Sequence, residues 1–353
     1  MKIWTSVQNL GIAFLQKKRT FLNIMHGNYQ RNLLFIISYV VMAGMRFQQY
    51  SGQWEYTRYR KKPAGGSRRL ANAKEIYDFN AWDNVEWDEE QENQASQAVF
   101  ENSSEKMNRS ESAKFKIEAN KYWDSFYEVH QNRFFKDRHW LFTEFPELAP
   151  KNSAQECRSI FELGCGVGNT LLPILKYSLE AKLKVYGCDF SSTAIQILRS
   201  NPAYDCKRCE VFVMDATLED WIVPFEKGSQ DIIVMIFVLS AIEPAKMQLV
   251  VENCYQYLKP GGLVLLRDYG RYDLAQLRFK SGKCLEDNFY VRGDGTMVYF
   301  FTQSEIRDFF TKAGFLEEQN VIDRRLQVNR SRMLKMYRVW VQAKYSKPLS
   351  DEK

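Results

Sequence analysis

The chain has 353 residues and an apolar share of 45%, enough for one large core or two modest ones. Its formal charge of +6 permits a polyanionic partner without demanding one. Seven cysteines, an odd number without framework spacing, exclude a disulfide scaffold and read as free thiols in a reducing compartment; Cys206 and Cys209 form a lone C-x-x-C with no second pair, so no metal site is predicted.

The first 54 residues contain no Asp or Glu and carry Lys2, Lys17, Lys18, Arg19, Arg31 and Arg46, a composition like that of a mitochondrial transit peptide. Another reading takes this segment as foreign to the folded protein, with Met42 as the working start. Leu33–Met45 is about 13 apolar residues, short of the roughly 20 a membrane span needs, so no transmembrane helix is predicted. Residues 1–65 are therefore an unassigned basic segment that ends in the linker Lys61–Arg69. Residues 66–150 read as a helical, aromatic extension, 151–347 as a second body and 348–353 as a tail. Within the extension, Trp123, Phe126 and Tyr127 fall at i, i+3 and i+4, one face of a helix. Two readings stand side by side. One is a core helix against a sheet. The other is a lid over a ligand, with Arg133, Lys136 and Arg138 turned outward to phosphates.

From Arg158 onward strands alternate with helices. Strands are predicted up to Leu163, over Leu183–Cys188 with Asp189 at the end, over Glu210–Met214 with Asp215 at the end, over Asp231–Leu239, and over Gly262–Leu266. Helices fit Thr193–Arg199, Lys246–Leu258 and Ser304–Ala313. Such alternation argues a parallel sheet covered on both faces. Phe315–Asp323 and Met333–Tyr345 then read as an antiparallel hairpin on its edge.

Between the first strand and the helix that starts near Leu171, glycines recur at 164, 166 and 168. Glycine allows a tight turn and close approach by a ligand, so the loop is a ligand site at the carboxyl edge of the sheet. Asn169 stands where the dinucleotide fingerprint needs a third glycine, which argues against an NAD enzyme. Together with Glu162 the loop resembles the first motif of class I S-adenosylmethionine-dependent methyltransferases. The strand order closed by a hairpin resembles their Rossmann-like α/β sheet of seven strands, six parallel and one antiparallel. S-adenosylmethionine is then the implied cofactor. Asp189, 21 residues after Gly168, would accept the ribose hydroxyls, although it also reads as a helix N-cap. Asp215 would accept the adenine amine, with Ala216 beside the ring. Gly164 and Gly166 would approach the methionine tail, and Ile236 would line the floor.

A narrower resemblance rests on Trp123-Asp124, Phe134-Phe135-Lys136-Asp137-Arg138-His139-Trp140, Ile236-Phe237-Val238-Leu239-Ser240, Arg267-Asp268-Tyr269-Gly270 and Asn288-Phe289-Tyr290-Val291-Arg292-Gly293. Over about residues 65–347 the chain resembles the eukaryotic tRNA 3-methylcytidine methyltransferases. Asn80–Trp87 and Asp323–Arg330 look most like the cytosolic branch acting on threonine and some arginine tRNAs. The resemblance implies methyl transfer to N3 of cytidine 32 in the anticodon loop. It places cofactor contacts on Trp123, Tyr127, Gly164, Asp189, Asp215, Ala216 and Ile236. The expected partners are tRNA and an aminoacyl-tRNA synthetase or accessory tRNA-binding protein, with no stable membrane association. The expected compartment is the cytoplasm, with mitochondria as the alternative from the acid-free N-terminus.

Cytidine N3 carries a lone pair near neutral pH, so the chemistry asks for alignment rather than a strong base. An unpaired loop base is cheap to extrude, and methylation leaves it cationic. Asp268, at the mouth of the fifth strand, is the expected stabiliser of that charge, with Tyr269 stacking on the base. The other reading of Arg267–Asp268 is a structural ion pair. Arg271, Arg278, Lys280 and Lys283, interleaved with Tyr272 and Phe279, and Arg324, Arg325 and Arg330 on the hairpin read as phosphate contacts, joined by Arg267 and Arg292. A solvated charged face is the bland alternative. Leu239–Ile242 lacks the Asn/Asp-Pro-Pro-Tyr string of protein N-methyltransferases, and an inactive RNA-binding relative would be expected to lose Asp189 and Asp215.

Overall fold

The computed structural model describes residues 65–134, 138, 140–150, 157–178 and 182–349, all within one compact unit, Tyr56–Lys353. The expectations for residues 1–64 and for Lys136 lie outside the described residues.

The extension opens with a 3-10 turn, Ala73–Asp78, and a short strand, β1 (Ala81–Asp83). Four helices follow: α1 (Glu89–Ser103), α2 (Arg109–Ile117), α3 (Ala119–His130) and α4 (Leu141–Glu144). Asp88 and Asn108 cap α1 and α2 by accepting the N–H of Gln91 and Glu111, a contribution of about 1 kcal/mol each. Helix α3 has no side-chain cap. Its Trp123–Phe126–Tyr127 face holds it in place, against Val167 and Ala194.

The second body runs β2 (Arg158–Leu163), α5 (Leu171–Tyr177), β3 (Leu183–Asp189), α6 (Ser192–Arg199), β4 (Cys209–Val213), β5 (Gln230–Ile236), α7 (Pro244–Tyr257) and β6 (Leu258–Tyr269). After it come α8 (Leu274–Leu277), β7 (Cys284–Glu286), β8 (Phe289–Val291), β9 (Met297–Tyr299), α9 (Gln303–Lys312), β10 (Leu316–Asn329) and β11 (Leu334–Ser346). The main sheet has the order β1-β10-β11-β6-β5-β2-β3-β4, and β7-β8-β9 form a small second sheet.

Strands β4, β3, β2, β5 and β6 are parallel, and β11 is antiparallel to both β6 and β10. Six strands therefore run one way and one against them, as the class I resemblance implies. The sheet departs from the expected seven strands in having an eighth. β1 of the extension pairs with β10 through Trp82↔Leu326, so the hairpin is not the sheet's edge. Trp82, Ile76, Val85, Leu326 and Val328 bury one another there.

Along β5, Ile232, Val234 and Ile236 face one core while Ile233 and Met235 face the other. This alternation explains why the strand reads as an unbroken apolar run. Leu141, Phe142, Phe145 and Leu148 enter the first of these cores, so the end of the extension is bonded to the sheet by burial, about 1.5–3 kcal/mol for each large side chain.

β6 continues past the expected Leu266 to Tyr269, because β11 keeps pairing with it through Asp268↔Val341 and Tyr269↔Trp340. Asp268 is thus the penultimate residue of β6, at the strand's carboxyl end as expected but still paired with β11. Among the described residues no helix is long and apolar enough to cross a membrane.

Candidate active site

The carboxyl ends of β2, β3, β4 and β5 meet the extension at one cavity of about 260 Å3. Trp123, Tyr127, Gly164, Gly166, Asp189, Asp215, Ala216 and Ile236 all line it. Both readings of α3 hold together. Its aromatic face is core, and two of its rings wall the cavity.

The loop after β2 needs its glycines. Gly164 and Gly166 have φ +59° and +51°, which side-chain-bearing residues rarely adopt. A Cβ at Gly164 would meet Val238 at 2.3 Å, and one at Gly166 would meet the Tyr127 hydroxyl at 2.6 Å. Asp189 holds this turn. Its Oδ2 accepts the Gly166 N–H at 2.8 Å and its Oδ1 accepts the Ser191 N–H at 2.9 Å. Burial pushes its pKa up to about 6, and these backbone donors oppose the rise. Ser191, and not Asp189, caps α6, accepting the Ala194 N–H at 3.1 Å. Ser191 also donates to Asp124 of α3 at 2.6 Å, and Asp124 accepts the Thr193 N–H at 3.0 Å. Asp124 thereby fastens the extension to the glycine-loop side of the site; nothing in its spacing marks it. Asp215 accepts the Thr217 N–H and hydroxyl through Oδ1 at 2.8 and 2.7 Å, and Oδ2 takes no part in these bonds.

Arg138 departs from its expected place on the outer surface. Its guanidinium turns into the cavity, donating to Glu162 at 3.3 Å, to the Thr170 hydroxyl and to the Ile236 carbonyl at 3.4 Å. The cause is local: the Arg138 N–H donates to the Asn169 carbonyl, which binds the segment to the glycine loop. Glu162 is 1% exposed, and burial pushes its pKa up to about 7 against the opposing pull of Arg138. Its Oε2 has no protein partner, an orphan that costs about 1–3 kcal/mol if left so. A free anionic acceptor and a guanidinium side by side suit an amino acid's ammonium and carboxylate. With the glycine cradle and two strand-end acids, the residues present fit S-adenosylmethionine.

The acceptor side differs more from expectation. Asp268 is fully buried, and its oxygens accept the N–H of Ser240 at 3.0 Å and of Tyr269 at 2.8 Å. Burial pushes its pKa up to about 6. It makes no ion pair with Arg267, because neighbours in a strand point to opposite faces. Arg267, 4% exposed, is taken up by Asp323 and Gln342 between the rings of Trp140 and Trp340, at 5.1 and 4.8 Å. Arg325 pairs with Asp323 at 3.0 Å and Glu144 at 3.1 Å, and Arg271 pairs through both oxygens of Glu305 at 3.0 Å. These three arginines, expected as phosphate contacts, are each taken up by a carboxylate of the fold. Arg324 lies over Trp87 at 5.0 Å and near Glu92 at 3.5 Å, while Arg133 and Arg330 are exposed.

Two features escaped the sequence. Phe237, at the end of β5, has φ +60°, lines the cavity and places its ring 5.1 Å from that of Tyr269. A bulky residue in that backbone region is strained, and such strain collects at functional sites. Lys116 of α2 lines the cavity mouth and pairs with Glu243 at 2.8 Å and with Glu286. Among the described residues no His, Cys, Asp or Glu cluster fits a metal ion.

The family model for a methyltransferase domain matches residues 161–264, which span β2 to β6. Over 303 residues the chain is 69% identical to the tRNA N(3)-methylcytidine methyltransferase Mettl2 of Drosophila melanogaster, covering 85% of this chain and 93% of that protein. It is 51% identical to the tRNA N(3)-cytidine methyltransferase METTL2 of Danio rerio, covering 82% of this chain and 91% of that protein. It is 44% identical over 286 residues to the tRNA(Thr) (cytosine(32)-N(3))-methyltransferase of Saccharomyces cerevisiae, covering 80% of this chain and 46% of that protein. The fold is that of the class I S-adenosylmethionine-dependent methyltransferases, and the chain belongs to the tRNA N(3)-cytidine methyltransferase family.

Proposed function

We propose that this protein transfers a methyl group from S-adenosylmethionine to N3 of a cytidine in a tRNA anticodon loop, with cytidine 32 of threonine tRNA, and of some arginine tRNAs, as the target. The Arg138–Glu162 pair carries the reading. It sets a zwitterion-binding couple beside two strand-end acids, in a chain 69% identical to a tRNA N(3)-methylcytidine methyltransferase.

When bound, the donor supplies an electrophilic methyl group. Arg138 holds its carboxylate, and the free Oε2 of Glu162 accepts from its ammonium. Asp189 takes the ribose hydroxyls on the lone pairs its two backbone donors leave open, and Asp215 takes the adenine amine through Oδ2. Trp123 and Tyr127 close the cavity from α3 and exclude water. Cytidine N3 is already a nucleophile, so these residues contribute alignment. The extruded base enters beside the packed ring pair of Phe237 and Tyr269. Asp268 acts as a positioning residue: through its two accepted N–H groups it fixes the Ser240 turn and the Tyr269 backbone. Arg292, over the Tyr269 ring at 5.7 Å, steadies that ring. Recognition by an aminoacyl-tRNA synthetase or accessory tRNA-binding protein, and residence in the cytoplasm, belong to the same proposal.

The test is methyl transfer by the purified protein to threonine tRNA transcripts carrying cytidine or uridine at position 32, with 3-methylcytidine read by mass spectrometry. Transfer to the cytidine form alone is expected. Donor binding without transfer to any tRNA would point to an inactive RNA-binding subunit instead. The partner is tested by co-purification with synthetases, and the compartment by mapping 3-methylcytidine separately in cytosolic and mitochondrial tRNA from cells lacking the protein.

A further inference from the structure

Beside the cofactor cavity lies a second, open pocket of about 350 Å3. It is lined by Arg278, Phe279, Lys280, Lys283 and Arg292, with Val291 and Ala275 at its base. Arg278, Lys280 and Lys283 are exposed. Among the described residues no carboxylate pairs with any of these four cations, whereas nearby Lys106 pairs with Asp287 and Lys116 with Glu243 and Glu286. Four positive charges around one concavity repel one another at a cost, and an anion seated there would relieve it. Phe279 stacks on Tyr290 at 4.6 Å, which fixes the floor from which the flanking cations project.

The wall between this pocket and the cavity is thin. Arg292 donates to the Thr296 hydroxyl and to the Met297 carbonyl, both at 3.2 Å, and Met297 lines the cofactor cavity. The same guanidinium lies over the ring of Tyr269. A strand of RNA whose base reaches Tyr269 and Phe237 therefore has its own backbone beside the basic pocket.

Building on the proposed function, we infer that this pocket seats a backbone phosphate next to the nucleotide being methylated, with Lys280 and Lys283 as its principal cations. The ligand is an RNA phosphodiester. The seat holds the nucleotide by its backbone while the base is out of the stack. Recognition there is independent of base identity.

The experiment compares the intact protein with the surface variant Lys280→Ala/Lys283→Ala. Binding to threonine tRNA is measured against salt, together with steady-state methyl transfer and donor affinity. The slope of log K against log salt should fall by about 1 for each phosphate that a lysine no longer neutralises. KM for tRNA should rise about tenfold, kcat at saturating tRNA should stay within about twofold, and donor affinity should not move. Lys280→Arg/Lys283→Arg should restore the slope. Arg307→Ala, which removes an exposed cation already paired with Glu317, should leave it unchanged. An alanine variant with wild-type slope and KM overturns the inference and leaves the proposed function standing. A site for free anion, shown by millimolar inorganic phosphate protecting these lysines from acylation without altering tRNA binding, overturns it too. A wild-type protein that methylates no tRNA sinks the underlying reading instead.

Discussion

The two halves of the site are built differently. The donor half hangs on strand ends that follow one another between Glu162 and Thr217, with one helix of the extension laid across them. The acceptor half is gathered from α2, the turn after β5, the end of β6 and the stretch from α8 through the β7–β9 sheet. In the first, function rests on where the backbone turns. In the second, it rests on which charges remain free once the chain has folded.

The largest effect should come from a cation that the fold has used up. Arg267→Ala leaves buried Asp323 with Arg325 as its remaining cation and empties the slot between Trp140 and Trp340, so it should cost about 3 kcal/mol in denaturant unfolding, with the salt slope of tRNA binding unchanged. A fall in that slope at intact stability would place Arg267 back on the RNA face and blur the contrast.

Arg138→Ala tests the opposite half. Losing a charge-assisted bond worth about 1.5–3 kcal/mol should weaken donor binding by roughly 10- to 100-fold in calorimetry, again without touching the salt slope. An unchanged donor affinity would remove Arg138 from the cofactor site.

The donor half should also respond to pH. Glu162 in the folded protein titrates at about 7, above the ordinary 4.5, because burial disfavours its charged form. The folded chain then binds more protons than the unfolded one between those values, so this group makes the free protein less stable as pH rises from about 5 to 7. A cationic ligand favours the ionised form, so donor affinity should climb about tenfold between pH 6 and 8, with proton release on binding. Glu162→Gln should flatten the profile; a flat wild-type profile would sever Glu162 from the ammonium.

The smallest effect separates strain from packing where the halves meet. At φ +60° glycine is free and alanine is not, so Phe237→Gly should be more stable than Phe237→Ala by about 1 kcal/mol in thermal unfolding, while both lose methyl transfer. Equal stabilities would mean that the backbone there is relaxed.

This division also marks what the sequence could tell. Gly164, Gly166, Asp189 and Asp215 were legible because strand ends and glycine turns are local and their spacing is set by one strand–helix–strand unit. The cations were not. Arg267 finds Asp323 56 residues away and Arg325 finds Glu144 181 residues away, and nothing near either arginine in the chain announces the partner. The full burial of Asp268 was hidden for the same reason: β11, 73 positions on at Val341, pairs with the strand end that holds it. The eighth strand was invisible because three residues are too few for a period, and β1 exists only where Trp82 meets Leu326.

The sheet order has one more consequence, for how the molecule is made. β11 is the last of the described strands in the chain, yet it sits in the interior, between β6 and β10. On the ribosome, β2 to β6 can assemble while the far side of β6 is still an open ladder. The extension, made first, cannot dock its strand until β10 is positioned by a segment that emerges after it. Synthesis thus leaves a long interval in which an apolar edge is bare, and a nascent chain stalled before Leu334 would offer that edge to any neighbouring strand.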